Sequence, residues 1–466
     1  MRAFSSADAY LSSEESTFKR VVSTVAVVGS GAAGLAAAFR LERAGLRVRL
    51  LERSELVGGR MRTVSRDGFL IEEGPSGLTR GHRSIMGIVS DAGLGAELVP
   101  ANGLIGIAEG THIHELDAAH IVRDAIRTRL VSTRAKLMLL RLVADLLRYR
   151  HRLDAEDLSR MRMLDGRSAE RYARDRYGDE AFERVIDPCV RPLVIGHCDE
   201  LSAADLLYVF GAFMANQDFV AFRGGMGSYP SALAPRFDTT TRAEVLGTTE
   251  GPDGVDLDWR DADGREHRER VAGVVLACDA ATTAGIHTGL DQVDRDFLAG
   301  RTATGVRYRG LVHVNVAVRR APDVPACYLF PLATRHPRLV CLTLEHNKVP
   351  GRAPAGQGMI GIYPTPRWSD QLVSQPDELI TKHLVDEAEE ILPGLADLIK
   401  FSHVTRVAPA VMNSRPGYWT AMGAFRARRA PRDRRIQLAG DYFCTSSVDA
   451  ASASGERAAG DLLAAL

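Results

Sequence analysis

Residues 29–34 read Gly29-Ser30-Gly31-Ala32-Ala33-Gly34, the pattern G-x-G-x-x-G. The pattern alone is common, but here its flanks constrain it. The preceding run 21–28, VVSTVAVV, is β-branched and uncharged, as in a strand buried on both faces. The following run 35–44, LAAAFRLERA, is rich in strong helix formers, and 46–51, LRVRLL, reads as a second strand that ends at Glu52. A strand–turn–helix–strand unit of this kind builds a parallel sheet with helices packed on it. Gly29 permits the sharp turn, Gly31 leaves the backbone bare for a pyrophosphate, and Gly34 lets helix and strand pack closely. The helix N-terminus then aims free N–H groups and partial positive charge at the diphosphate.

Glu52 follows Gly34 by 18 residues. An acid there accepts hydrogen bonds from both ribose hydroxyls and repels a 2′-phosphate, which favours FAD or NAD over NADP. Ala33 within the turn and Arg53 beside Glu52 complete the candidate contacts at this end. Next comes Gly58-Gly59-Arg60-Met61-Arg62. A second glycine pair just past the acid separates flavoproteins from most nicotinamide enzymes.

Composition narrows the rest. Lys+Arg and Asp+Glu both number 59, so no net charge draws the chain to nucleic acid. With 45 % hydrophobic residues and 466 positions, the chain has room for two or three packed domains. Its six cysteines contain no C-x-x-C pair, so no metal site is predicted, and reduced thiols in a cytoplasmic protein are expected. Residues 1–20 carry no secretory signal and read as a flexible extension, and no apolar run is long enough for a transmembrane helix.

Further along, 121–176 is helix-rich and basic, with 15 Lys+Arg against 8 Asp+Glu. Its first reading is a solvated face, its second a peripheral membrane contact. Residues 243–277 read as β structure, with Asp263-Gly264 at a hairpin turn and a buried strand at 271–277. In LVHVNVAV (311–318), Val312, Val314, Val316 and Val318 share one face, and His313 and Asn315 share the other. Further strands through 364, an amphipathic helix over 377–392 and a small-residue helix over 447–465 complete the chain. Tyr363, Trp368 and Trp419 read as core, and Cys444 as a small buried thiol.

From the G-G-R segment at 58–60 onward the chain resembles the FAD-dependent amine oxidase superfamily, which includes protoporphyrinogen oxidases and phytoene-desaturase-like enzymes. GFLIEEGPSGL (68–78), GGMGSYPSALA (224–234), AEVLG (243–247) and LAGDYF (438–443) are similar to successive family segments. The resemblance implies an α/β fold: a Rossmann-like FAD-binding domain of the glutathione-reductase type, with an inserted α+β substrate domain of antiparallel sheet and helices. It assigns 21–84, 223–306 and 403–466 to the FAD domain. Residues 85–222 and 307–402 form the substrate domain, with a helical subdomain at 118–222. Beyond Gly59, it places Arg60 and Arg62 at the diphosphate, Gly74, Pro75 and Ser76 beside the isoalloxazine, and the Val245 backbone near the adenine. Gly440 and Asp441 would bind ribityl or phosphate oxygens, and Ser447 and Val448 would open a helix aimed at the flavin O2 edge.

The activity implied is hydride transfer from a small-molecule substrate to flavin N5, with dioxygen as acceptor. The sequence departs from the amine oxidases at three points. The strand GVRYRGLVHVNVAV carries no lysine, Lys348 falling later. No aromatic residue stands in Cys444-Thr445-Ser446-Ser447. RVAPAVM (406–412) replaces W-x-x-A-x-P. The segment 167–206 is similar to protoporphyrinogen oxidases, but GLIGIAEGTHIHEL (103–116) lacks their propionate-pairing arginine. The expected substrate is therefore bulky and largely apolar; the alternatives are a porphyrinogen, an amino-acid-derived amine, or flavin binding without redox turnover. His313 and Asn315 are the candidate catalytic residues.

Overall fold

The computed structural model describes residues 23–466 except 155, 216–217 and 430–433; the extension predicted at 1–20 lies outside the described residues. The strand Thr24–Val28, the helix Ala32–Arg43 and the strand Arg47–Leu51 form the predicted opening unit. They belong to a five-stranded parallel sheet ordered Asp238–Thr240, Arg47–Leu51, Thr24–Val28, Val274–Leu276, Ile436–Leu438. One sheet thus gathers the chain's beginning, middle and end. The helix Val448–Ala465 packs across Ala32–Arg43, and Gly455 makes the crossing possible: a Cβ there would lie 2.0 Å from the Ala33 carbonyl oxygen. A three-stranded antiparallel sheet, Glu244–Gly251, Gly254–Arg260 and Glu266–Val271, hangs beside this layer. The run predicted as one strand over 271–277 is two elements, because Val271 ends the hairpin and Val274–Leu276 enters the parallel sheet.

The second large sheet has seven strands, ordered Ile399–Met412, Tyr308–Val318, Gly358–Pro364, Leu339–Leu344, Tyr328–Pro331, Leu104–Glu109, His112–Asp117. One face is the predicted valine stripe, packed with Leu342, Ile360 and Ile362 against Ile380, Leu384 and Ala388 of the helix Asp377–Glu389. The other face carries His313, Asn315, Cys341, Thr343 and Tyr363. The strand Ile399–Met412 runs along Tyr308–Val318 to Tyr308↔Met412. The chain therefore leaves this sheet after 412, later than the boundary predicted at 403.

The helices Thr133–Tyr149, Ala169–Tyr177, Asp187–Val194 and Ala203–Ala215 fill the predicted helical segment. Asp205 ties it to the helix Tyr418–Arg428 by accepting from Trp419 Nε1 at 2.9 Å. Burial, with Asp165 nearby, lifts the Asp205 carboxyl to about 7, although Trp419 and Ser414 hydrogen bonds oppose the rise. A carboxyl raised in the folded state favours folding fully below its unfolded value near 4. That contribution is lost as pH rises through about 7. Asp205→Asn should therefore gain melting temperature over the natural protein as pH is taken from 5 to 8, by roughly 3 kcal/mol of stability. Parallel melting curves over that range would refute the assignment.

Candidate cofactor and active site

The helix Ala32–Arg43 begins with no side-chain cap and no acidic residue in its first turn. Its N–H groups are thus left to an external anion. A Cβ on Gly31 would meet nothing within 4 Å, whereas one on Gly34 would lie 1.8 Å from the Gly29 carbonyl oxygen, and one on Gly29 2.8 Å from that of Ala277. Gly31 faces open space, while Gly29 and Gly34 make close backbone contact. Gly59 lies against Gly31, its Cβ position 3.2 Å from the Gly31 Cα.

Glu52 is buried at the end of its strand. Its Oε2 accepts from Ser30 N at 2.9 Å and Ser30 Oγ at 2.6 Å, and Oε1 accepts from Ser54 N at 2.8 Å. A carboxylate offers about four acceptor sites, so one remains, on Oε1. It suits one ribose hydroxyl; a second would require the Ser30 hydroxyl to turn away. Arg53 is exposed beside it, with no ion-pair partner among the described residues. Ala243 N bonds the Glu52 carbonyl at 2.8 Å, which brings the strand of Val245 alongside; Val245 is buried at a register shift opposite Trp259.

Arg60 and Asp441 meet from opposite ends of the chain, Nη1 to Oδ2 at 2.8 Å. The Arg60 side chain is 40 % exposed and that of Asp441 4 %, so the arginine is reachable from solvent while the carboxylate is buried beneath it. Tyr308 Oη donates to Asp441 Oδ1 at 2.6 Å and Ser446 Oγ to Oδ2 at 3.1 Å. Burial opposes ionisation of Asp441, but Arg60 and these hydroxyls hold its carboxyl below the ordinary range. Arg60 also donates to the Ala410 carbonyl, and Ala408, two residues earlier, is exposed although it lies within a strand. Gly440 N donates to Ser454 Oγ at 3.0 Å, and a Cβ on Gly440 would strike the Tyr442 ring. The Ser447 hydroxyl is used locally, accepting from Ala450 N as the helix cap ahead of Val448.

The residues fit FAD: an uncapped helix end, open space at Gly31, one free acceptor site on Glu52, and a part-exposed arginine held by a buried carboxylate. Asp441→Asn removes a charge that three groups bond. It should weaken FAD binding roughly 10–100-fold, the weight of one charged hydrogen bond. Unchanged affinity in a flavin titration would take Asp441 out of the site.

Three expectations change. Arg62 pairs with Glu73 (Nε to Oε2 3.3 Å), a carboxylate that also accepts from His403 Nε2 at 2.9 Å, which draws the arginine away from the diphosphate end. His313 is 0 % and Asn315 1 % exposed, so neither side chain adjoins space that water can enter. Asn315 Nδ2 donates to the Glu72 carbonyl at 3.1 Å and His313 Nε2 to that of Glu73 at 3.3 Å. They seat the strand that leads into Gly74 and Pro75 and are not placed to meet a substrate. Burial lowers His313 to about 4, so it is neutral near pH 7. Its ring stacks on Tyr363 at 4.6 Å. Finally, the Ser76 hydroxyl accepts from Lys348 Nζ at 2.8 Å.

Sequence reasoning missed Tyr308, Ser30 and Ser446. Tyr308 opens the long strand that carries the valine alternation, but its hydroxyl partner lies 133 residues away. Ser30 fills an unconstrained place in the glycine motif.

Comparison with known proteins bears on the family and the fold. A family model for flavin containing amine oxidoreductases matches residues 32–463. Coproporphyrinogen III oxidase of Bacillus subtilis is 29 % identical over 191 residues, 38 % of this chain and 38 % of that protein. The chain thus matches little more than a third of that relative's length. A provisional protoporphyrinogen oxidase from Exiguobacterium sp. 255-15 superposes with TM-score 0.70 at 19 % identity, covering 94 % of this chain and 98 % of that one. Putrescine oxidase bound to putrescine superposes with TM-score 0.73 at 17 % identity, covering 95 % and 99 %. At these identities the likeness is one of fold.

Proposed function

Because this chain belongs to the flavin containing amine oxidoreductase family, and so is an FAD-dependent oxidoreductase, we propose that it dehydrogenates a bulky, largely apolar small molecule, with dioxygen as electron acceptor. The observation that carries the reading is the meeting of Arg60 and Asp441 beside the uncapped helix at Gly31. FAD, when bound, supplies the two-electron acceptor. The chain's own residues bind and orient it: the first-turn N–H groups and Arg60 for the diphosphate, Glu52 for the ribose, Asp441 for the oxygens between. Gly74 and Pro75 form the turn offered to the flavin ring.

Two features favour an apolar substrate over an amine. The stretch Cys444-Thr445-Ser446 before the last helix offers no ring to cage a cationic nitrogen. The helix Thr133–Tyr149 exposes Leu137, Leu140, Val143 and Leu147, between 47 % and 62 %. Arg134, Arg141 and Arg148 stand at seven-residue intervals beside that stripe. An exposed apolar stripe with a cationic border suits the surface of an anionic bilayer, where such substrates reside. No helix among the described residues is long and apolar enough to cross a membrane. A porphyrinogen is the second reading, favoured by the likeness to coproporphyrinogen III oxidase.

Purified protein should be yellow. Mixed anaerobically with a polyene, a porphyrinogen or putrescine, its flavin should bleach with one of the first two. Bleaching by the amine alone would overturn the substrate class, and colourless protein that takes up no FAD would overturn the whole reading. Leu137→Glu with Leu140→Glu should abolish sedimentation with anionic vesicles at low salt. Failure of the unaltered protein to sediment would remove the membrane contact.

A further inference from the structure

The segment Glu345–Arg352 leaves the seven-stranded sheet after Leu339–Leu344 and sends two buried cations onto the chain at 72–76. Lys348 and Glu345 are each 1 % exposed in their side chains and pair at 2.6 Å. Lys348 Nζ also donates to Ser76 Oγ at 2.8 Å and to the Ser76 carbonyl at 3.0 Å, which uses all three of its protons. Arg352 Nη1 bonds Glu72 Oε1 at 2.9 Å, and its carbonyl accepts from Leu70 N at 3.0 Å.

His313 and Asn315 hold the carbonyls of Glu73 and Glu72 from the sheet side. The chain is therefore gripped at Leu70, Glu72, Glu73 and Ser76. Between these grips Gly74 and Pro75 are partly exposed, and Gly74 is pressed so close that a Cβ would lie 2.0 Å from the Arg60 carbonyl oxygen.

A buried ion pair is a costly way to pack two side chains, and apolar residues of similar volume often serve stability as well. This pair has a direction. Its ammonium end touches the turn through Ser76. Its carboxylate end lies behind, with Glu345 Oε2 unpartnered.

We propose that Lys348 and Glu345 are positioning residues for the flavin reaction: they fix the Gly74–Pro75 turn against the ring and place an oriented dipole, positive end foremost, behind it. The proposal rests on the reading of that turn as the one facing the flavin. The positive end favours added negative charge on the ring and so raises the flavin's reduction potential.

The test uses holoprotein reduced by dithionite against reference dyes. Lys348→Met leaves Glu345 as a lone buried charge and should fall in melting temperature. Glu345→Gln with Lys348→Met leaves no lone charge and should regain most of that loss. In the double variant the potential should stay below that of the unaltered protein. At a fixed solution potential, the ratio of reduced to oxidised flavin should be lower by about tenfold. Ser76→Ala keeps the ion pair, loosens its hold on the turn, and should shift the ratio the same way; it decides the matter if the double variant does not fold. A flavin-loaded double variant, or Ser76→Ala in its place, with an unchanged potential overturns the proposal and leaves the site reading standing. Absence of flavin from the unaltered protein overturns both.

Discussion

Gly31→Val is expected to give a folded but colourless protein. The added Cβ meets nothing within 4 Å, so the branch starts in open space and the fold should tolerate it. The space it fills is the one proposed for the diphosphate at the helix end. Crowding a group of that size costs about 1–3 kcal/mol, hence 10–100-fold in FAD affinity. The contrast is Gly34→Val, whose Cβ would lie 1.8 Å from the Gly29 carbonyl oxygen; that variant should fail to fold. Circular dichroism and flavin absorbance together separate the outcomes. A Gly31→Val protein that keeps its flavin would place the diphosphate elsewhere.

Arg352→Met should be among the most destabilising single substitutions in the chain. It leaves Glu72, 1 % exposed, without its cation. Burial already pushes the Glu72 carboxyl up, and Arg352 opposes the push most, ahead of the Thr63 hydroxyl and the Met226 N–H. Breaking such a pair costs about 3–5 kcal/mol, a drop in melting temperature of roughly 5–15 °C for domains of this size. Adding Glu72→Gln should recover most of the loss, because an amide is far cheaper to bury than a carboxylate. If the single variant melts like the unaltered protein, water reaches Glu72 and the strand is less tightly held than its geometry says.

The opening strand–helix–strand unit was legible in the sequence because its signals are local. Three glycines, a buried strand and an acid stand within thirty residues, and each constrains its neighbours. The valine alternation at 312–318 fixed a buried face for the same reason. The clasp at Lys348 and Arg352 was not legible. Charged residues read as surface unless their burial is known, and the contacts that bury these two against residues 72–76 lie 272 and 280 residues away. His313 and Asn315 show the converse limit. Alternation correctly put them opposite the valines, but it cannot tell a face that meets substrate from one covered by a crossing strand. The boundary at 403 fell early because Ile399–Met412 pairs along Tyr308–Val318 as far as Met412, while its far end already touches Arg60 through the Ala410 carbonyl.

The order of strands in the parallel sheet has a consequence for how the protein comes into being. Ala26 pairs with Val274, and Val274 in turn with Ile436. As the chain emerges from the ribosome, its first strand soon gains Arg47–Leu51 on one side but waits for more than half of the remainder before its other neighbour exists, and the closing helix arrives last of all. Closure across such separations is slow, so a nascent molecule keeps its apolar edges bare through most of its synthesis. Chaperone protection, more than codon-by-codon folding, should govern how much of it is recovered.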